Sequence, residues 1–546
     1  MTSIPEINKK NYQKILRELD IAQFPSFNTD IYLKNVRDKL VKKEKLTFSE
    51  EQISFHRFKM YLDDCRKTMN RYYVSKMDFS RFAHRPPLDF QEEGIKFLLS
   101  NERCILSDDM GLGKSLQAVI ASMCLPENYK ILLVTMKSLK YNFKKEIDFY
   151  NDSYKVIEKT WESGYKFTLV HYDSLKKWKK EIKEEKFDCV ISDESHLLIN
   201  TKSARTKNFA GIVKEKSIKK VWLLTGTPIT NRPYNYFNLL KLIKHPLTKN
   251  WKTFVERYCN GHKDYFGKWV VDGSSNEQEL YEKTKDSVLR RLKKDHVKDL
   301  PNKDRQPIFL NMDNWKGYNQ VIKDYEQKKT EELIESFGSM SDLIDEGIEV
   351  NSMTKLILWR QFCALEKIRD GSLIELINNQ IDQGNKIVVF TNFTSVVDAV
   401  YDHFGSGVAR MIDGRVGDPQ KRLDIVDEFN NTPSLKVLVL NLQVGGTGLN
   451  IQSANVAIIN DMYWVPGTML QAEDRLWRIG QEREVLILYP VYEKTVETIM
   501  YDVINKKMKT ISSIVEGKKE SYFESPELVK ENDRKSILSD IFAQMS

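Results

Sequence analysis

Short apolar runs at residues 104–106, 131–135, 167–171, 187–192 and 221–225 alternate with stretches whose apolar positions recur every three or four residues. Runs of that length without polar alternation suit strands buried on both faces, and the longer periodicity suits the helices that cover them. The same rhythm resumes at 386–390 and continues through 408–412, 436–441, 456–460 and 484–489. It predicts an α/β chain of two lobes, each a mostly parallel sheet with helices on both faces. Residues 1–82 are rich in Lys, Arg, Glu and aromatics without strand alternation, so they are expected to form a helical N-terminal extension. The expected first lobe is 83–305, with a helical insertion at about 231–300. The second is 306–490, with a helical insertion at about 312–385, and 491–546 form a helical tail. A polar, acidic stretch from Ser336 to Asn351 has the composition of a turn.

The chemistry starts at the first strand. Cys104-Ile-Leu106 runs into Ser107-Asp-Asp-Met-Gly-Leu-Gly-Lys-Ser115, and Leu116, Val119, Ile120 and Met123 then mark one helical face. Strand, glycine turn and helix form a phosphate cradle when the turn amides face an anion and the helix dipole favours it. The backbone of Gly111 to Lys114 would face phosphate oxygens, Lys114 would reach the β and γ phosphates, and Ser115 would hold Mg²⁺. Asp108 stands where G-x-x-x-x-G-K-[ST] has its first glycine, so the loop alone is equally an ordinary strand-turn-helix. A second half-site follows Phe187-Asp-Cys-Val-Ile-Ser192, where Asp193 and Glu194 end a strand, the place where open α/β sheets carry chemistry. Asp193 would take Mg²⁺ and Glu194 would polarise the attacking water.

These motifs and those that follow them, in order over roughly residues 83–510, resemble the Swi/Snf-like family of superfamily 2 helicase-type ATPases. Phe90-Gln91-Glu-Glu-Gly94 resembles the adenine-reading motif. Ile131 to Ser138 and Val170 to Leu175 resemble DNA-contacting motifs, and Leu224-Thr-Gly-Thr-Pro228 the coupling motif. Val388 to Phe393, Val444-Gly-Gly-Thr-Gly-Leu-Asn450 and Gln471-Ala-Glu-Asp-Arg-Leu-Trp-Arg-Ile-Gly-Gln481 match the second half. The resemblance implies two RecA-like lobes that use ATP and Mg²⁺. It places Gln91, Asp109, Met110, Gly111, Leu112, Gly113, Lys114, Ser115, Gly448 and Gln471 around the nucleotide. Arg475 and Arg478, spaced i, i+3, are expected on one helix and pointing the same way, completing the site when the cleft closes. Thr225 and Thr227 would couple the phosphates to the DNA side. Lys137, Asn392, Asn441 and Asn450 are the expected phosphate-gripping donors.

Smaller features resemble the annealing-helicase (HARP-like) branch: Asp108-Asp109, Asp193-Glu-Ser-His196, Arg232-Pro233 and Pro466-Gly467. Trp477 departs from it, since that branch usually has histidine there. The implied activity is a DNA-dependent ATPase that translocates on duplex DNA and rewinds, remodels or branch-migrates it. The alternatives are a strand-separating helicase, a remodeller of DNA-bound protein or transcription complexes, and a nucleotide-gated DNA scaffold.

Composition adds little. Lys and Arg total 85 against 77 Asp and Glu, a formal +8 over 546 residues, so any nucleic-acid surface depends on where the charges sit. Arg57, Lys59, Tyr61, Arg66, Lys67, Arg71, Tyr72 and Tyr73 interleave cations and rings as a nucleic-acid arm or as a solvated helical face. Leu289-Arg-Arg-Leu-Lys-Lys-Asp295 suits DNA phosphate or internal ion pairs. Six cysteines without a Cys-x-x-Cys pair and eight histidines without zinc spacing suggest a reducing compartment and no zinc. No run of about 18 apolar residues and no signal-peptide core is present, so a soluble intracellular protein is expected, in a bacterial or phage-infected cytoplasm rather than a nucleus. A monomer acting on duplex, forked or branched DNA without sequence specificity, and on no membrane, completes the expectation.

Overall fold

The computed structural model describes residues 9–18, 30–150, 152–230, 232–297, 299–323, 350–442, 449–518 and 522–523. Gly448 lies outside them, as does the polar stretch at 336–351 apart from its last two residues, which open the helix Val350–Arg369. The chain divides into two compact units, Met1–Asn101 and Glu102–Ser546.

The first unit is helical, as its composition implies, with helices Tyr12–Glu18, Ile31–Val41, Phe48–Ser75 and Asp89–Ser100. Asp30 caps the second by accepting Leu33 N–H, and Thr47 with Glu50 forms a capping box on the third. Leu33, Val36 and Leu40 pack on Tyr12, Leu16, Phe58 and Leu62. Within the basic-aromatic stretch, Arg57 pairs with Asp30 at 3.3 Å and lies over the Tyr32 ring, and Tyr61 packs against the small core. Lys59, Arg71, Tyr72 and Tyr73 are exposed, and the side chains of Arg66 and Lys67 lie outside the described residues.

The second unit holds both lobes. The strands are β1 (Arg103–Leu106), β2 (Ile131–Thr135), β3 (Tyr154–Val156), β4 (Phe167–His171), β5 (Cys189–Ser192), β6 (Lys220–Leu224), β7 (His262–Lys263), β8 (Trp269–Val270) and β9 (Val288–Leu289). Seven of them form a sheet in the order β3-β4-β2-β5-β6-β1-β9, and every pairing is parallel. The central β2 and β5 are buried along their whole length, which explains their unbroken apolar sequence. The edge strands β3 and β9 are only three and two residues long and lack an apolar run, so periodicity does not find them.

The second sheet adds β10 (Lys303–Leu310), β11 (Ile387–Thr391), β12 (Ala409–Ile412), β13 (Val437–Asn441), β14 (Val456–Ile459) and β15 (Val485–Tyr492). Its order is β10-β15-β14-β11-β13-β12, again all parallel. The expected lobe boundary at 305/306 falls inside β10. That strand carries Lys, Asp, Arg, Gln and Pro307, tolerable because it is an edge strand, and pairs residue for residue with β15 from Lys303↔Val485 to Leu310↔Tyr492. The segment 231–300 holds the helices Pro233–Leu242, Trp251–Tyr258 and Glu277–Thr284 together with the antiparallel hairpin β7-β8.

The tail begins as the helix Val496–Val515. Val496, Met500, Tyr501 and Ile504 lie in second-lobe cores, whereas Ile514 and Val515 lie in the first-lobe core, so one helix bridges the lobes. Beyond it Tyr522 and Phe523 return to the second lobe, with Phe523 stacked on Tyr501 at 4.4 Å.

Glu473 is the electrostatic knot of that lobe. Fully buried, it accepts from Arg305 Nε and Nη2 at 2.8 and 2.6 Å, Lys303 Nζ at 2.9 Å, and the hydroxyls of Tyr489 and Tyr522 at 2.6 and 2.5 Å. Burial alone would raise its pKa, but Arg305 and Lys303 outweigh burial and hold it far below the carboxylate range. A depressed pKa contributes stability above the unfolded value near 4.5 and loses it as pH falls through the folded value. Glu473→Ala is expected to cost about 3–5 kcal/mol, because it strands two cations in the interior. Chemical denaturation followed by near-ultraviolet circular dichroism checks this, and a loss below about 1 kcal/mol at neutral pH would contradict it.

Candidate active site between the lobes

The loop after β1 turns through Gly111 and Gly113, both left-handed at φ 84° and 75°, and the helix Lys114–Met123 starts on Gly113. Only glycine adopts that pair of dihedrals without strain, so the turn presents its amides at the helix N-terminus. Lys114 Nζ donates to the carbonyls of Asp108 and Asp109 at 2.7 and 3.1 Å, and Lys114 and Ser115 are half-buried. Leu112 is buried, and Met110 lies against Gly226, where a Cβ would come within 2.9 Å of Met110 Cγ.

Asp108, the residue in the glycine position, is fully buried and accepts from Arg291 Nε and Nη2 at 2.9 and 2.5 Å and from Gln117 Nε2 at 3.1 Å. Asp109 pairs with Arg290 at 2.5 Å and accepts Lys293 N–H at 2.9 Å. Asp109 was expected at the nucleotide; its carboxylate anchors the loop to the 289–295 segment, through the Arg290 guanidinium and the Lys293 backbone amide. That segment therefore makes internal ion pairs through Arg290, Arg291 and Lys293.

Asp193 and Glu194 leave β5 together. Asp193 accepts Thr135 Oγ1 at 3.2 Å, and its backbone carbonyl accepts the Tyr172 hydroxyl. Burial pushes the Asp193 carboxyl up to about 7, with the charge of Glu194 adding to the effect. For Glu194 burial also acts upward, but His196 and the charges of Lys114 and Arg475 prevail and hold it at about 2. Glu194 has the uncommon left-handed backbone, φ 49°, so local strain is held at this position. His196 Nδ1 lies 3.2 Å from Glu194 Oε2 and 3.4 Å from Thr225 Oγ1, joining the carboxylate to the coupling segment. Ser195 Oγ bonds Ser192 O at 2.7 Å and its hydroxyl at 2.9 Å, which accounts for serine at this position.

Thr225 is buried and its Oγ1 accepts Thr227 N–H at 3.1 Å. Thr227 meets the second lobe: a Cβ on Gly467 would stand 3.2 Å from Thr227 Cγ2. Pro466-Gly467 thus supplies the small residue that lets the lobes approach. The helix Pro466–Glu473 carries half-buried Gln471 and ends before the arginines. Arg475 and Arg478 were expected on one helix, whereas residues 474–480 form turns. The helix ends at Glu473, and the turn that follows is anchored by Asp474, which pairs with Lys293 at 3.1 Å. Arg475 is buried, which lowers its pKa to about 10, with Arg478 adding to the shift, and it faces the field of Glu194. Arg478 Nη1 instead donates to Leu449 O at 3.2 Å within its own lobe.

Trp477 also has a structural partner set. Its Nε1 donates to Pro301 O at 2.7 Å, and its ring carries Lys293 and Lys303 at 4.5 and 4.4 Å. Lys293 Nζ adds a bond to Trp477 O at 2.6 Å and passes beside Gly111, so one buried lysine touches the phosphate loop and the arginine segment.

The expected DNA donors fare unequally. Lys137 is exposed in the turn Lys137–Leu139, and Asn450 Nδ2 donates to Gln452 at 3.2 Å on the surface. Asn392 is buried and its Nδ2 donates to the Asp461 carboxylate, while Asn441 Nδ2 donates to Asn392 O at 3.2 Å. Asn392 thus has its donor aimed at an acid of its own lobe, unlike the exposed Lys137 and Asn450. Gln91 belongs to the first unit, where its Oε1 accepts Leu88 N–H at 3.0 Å.

The residues present fit a magnesium-bound triphosphate. They offer amides at a helix N-terminus, an ammonium whose charge reaches both carboxyls, a hydroxyl in the first turn, and a buried carboxylate whose charge a divalent cation would stabilise.

Comparison with known families bears on the same residues. The model of the SNF2-related domain matches residues 90–363, half of the chain, and that of the helicase conserved C-terminal domain matches 369–480. The chain belongs to the SNF2-related family. Its two domains are those of a helicase-type ATPase, which implies use of ATP. The human DNA annealing helicase and endonuclease ZRANB3 is 30% identical over 452 residues, covering 79% of this chain and 41% of that protein. A Caenorhabditis elegans homologue of the SWI/SNF-related regulator of chromatin subfamily A-like protein 1 is 26% identical over 94% of this chain and 72% of its own length. These relatives bear out the resemblance to the annealing-helicase branch, although the chain spans only about two-fifths of the ZRANB3 proteins it matches. The Sulfolobus solfataricus SWI2/SNF2 ATPase core in complex with dsDNA aligns at TM-score 0.37 and 23% identity, over 79% of this chain and 94% of that one.

Sequence reasoning missed His196, Thr135 and Lys293 as members of the site. All three stand within recognisable motifs or the basic segment, but only folding reveals which carboxylate each one meets. Among the described residues no helix is long and apolar enough to cross a membrane, and the described cysteines form no disulfide.

Proposed function

We propose that this chain is a DNA-dependent ATPase that translocates on double-stranded DNA and rewinds, remodels or branch-migrates it. The observation that carries the proposal is that the second-lobe segment bearing Arg475 is tied to the phosphate loop, through Lys293, which passes beside Gly111 and bonds Asp474 at 3.1 Å and Trp477 O at 2.6 Å. A site assembled from two lobes ties turnover to lobe closure, and repeated closure on a phosphate backbone is movement. Lys114 compensates phosphate charge, Glu194 orients the attacking water and accepts its proton, and Ser115 and Asp193 would hold Mg²⁺, which would supply further charge neutralisation. His196 keeps Glu194 ionised, and through Thr225 and Thr227 it passes the state of the carboxylate toward the lobe contact at Gly467. Gln471 contributes from the second-lobe side.

The DNA part draws on the names of the relatives, annealing helicases and SWI/SNF-related regulators. Steady-state ATPase measurements across single-stranded, duplex, forked and four-way DNA, with RNA as control, test it. Strong stimulation by duplex, forked and four-way DNA is expected, independent of base sequence. Affinity should fall steeply with salt, at a log–log slope of about −0.9 for each phosphate neutralised. Branch points should move with ATP while a simple tailed duplex stays paired. Stimulation by single strands alone, with efficient unwinding of long tailed duplexes, would establish the strand-separating helicase instead.

A further inference from the structure

The hairpin β7-β8 stands in the first-lobe insertion, paired at His262↔Val270 and Lys263↔Trp269. Its turn is built by Asp264 and Gly267. The Asp264 carboxylate accepts the N–H groups of Phe266 and Lys268 at 3.0 and 2.8 Å, Asp264 O accepts Gly267 N–H at 3.0 Å, and Gly267 is left-handed at φ 77°. Neither aromatic side chain between them contributes to that geometry. Tyr265 is 97% exposed and Phe266 89%, with their rings edge to face at 5.5 Å. Single exposed apolar residues are ordinary, but two adjacent rings almost wholly in water at a loop tip have no folding role to explain them.

The base of the hairpin is fixed. Trp269 packs on the first-lobe core and edge-on to Trp251 at 5.4 Å. A Cβ on Gly261 would stand 2.7 Å from Val255 O, so strand and helix are in close contact, and Ser275 Oγ and Asn276 Nδ2 each donate to Arg257 O at 2.7 Å. The rings are thus carried on a rigid arm.

Charge selects the ligand. Residues 241–272 contain seven Lys and Arg against three acids, of which Glu256 pairs with Lys252 at 3.6 Å and Asp264 is held inside the turn, while Asp272 is exposed. Lys263 and Lys268 are exposed on either side of the rings. Rings flanked by cations are a stacking platform for single-stranded nucleic acid. An intact duplex hides its base faces, so such a platform finds a partner only where strands part.

We propose that Tyr265 and Phe266 stack on unpaired bases at a branch point, with Lys263 and Lys268 on the neighbouring phosphates, so that the hairpin selects branched DNA by structure. This rests on the DNA reading of the proposed function. The test uses the full chain, a fork carrying 2-aminopurine as its first unpaired base, and a blunt duplex of equal length. Wild type should quench the probe. The double variant Tyr265→Ala, Phe266→Ala should lose the quench and bind the fork about tenfold more weakly relative to the blunt duplex. Tyr265→Trp with Phe266→Trp should restore both. An unchanged quench and an unchanged fork-to-duplex ratio in the alanine variant would overturn the proposal and leave the tip to a protein contact. Absence of wild-type ATPase stimulation by any DNA would overturn the DNA reading itself, and the hairpin proposal with it.

Discussion

Lys114→Ala is expected to abolish ATP turnover and weaken ATP binding, whereas Glu194→Gln should bind ATP and hardly hydrolyse it. Lys114 sits on the loop carbonyls of Asp108 and Asp109, and its charge acts on both Asp193 and Glu194. Its removal leaves a triphosphate facing two carboxylates without their cation, a loss of binding as well as of rate. Glu194→Gln keeps volume and hydrogen bonding beside His196 but removes the carboxylate that accepts the proton of the attacking water. Positioned bases contribute roughly 10²–10⁴-fold, so turnover should fall by about that factor with nucleotide affinity little changed. Binding of a fluorescent ATP analogue alongside phosphate release separates the two behaviours. Equal loss of affinity in both variants would show the roles to be wrongly divided between Lys114 and Glu194.

The sheets were legible where burial forces an unbroken apolar run. Each central strand, from Arg103–Leu106 to Val456–Ile459, lies within a few residues of its expected place. Among the edges Ala409–Ile412 was legible too, but Tyr154–Val156, Val288–Leu289 and Lys303–Leu310 were not, because an edge strand owes its place to one neighbour and can be short or tolerate polar residues and proline. The loop, the acidic pair and the arginines were legible as motifs, since their chemistry restricts residue type at fixed spacing. What each side chain meets was not. Asp108 looked like a defect in the phosphate loop until Arg291 was found against it, and Trp477 looked anomalous until Lys293, Lys303 and Pro301 O surrounded it. In both cases the partner lies more than a hundred residues away, beyond any periodicity.

That same long-range packing decides which arginine matters more. Arg475→Ala should lower kcat by about 10³-fold or more at saturating ATP and DNA, the range lost when an arginine finger is removed. Arg478→Ala should be milder. Spacing alone makes the pair equivalent, but the chain leaves its helix at Glu473, and the turn that follows gives the two residues different surroundings. Arg475 is buried, and its charge acts on Glu194 of the first lobe. Arg478 spends Nη1 on Leu449 O and supports the turn from within its own lobe. Arg475→Lys should not restore turnover, because a single ammonium cannot reproduce a planar guanidinium fork on phosphate oxygens. Measuring kcat and ATP affinity for the three variants on the same duplex decides the matter. Near-normal kcat in Arg475→Ala with a deep loss in Arg478→Ala would mean that the lobes rotate further on binding ATP and bring Arg478, not Arg475, to the phosphate.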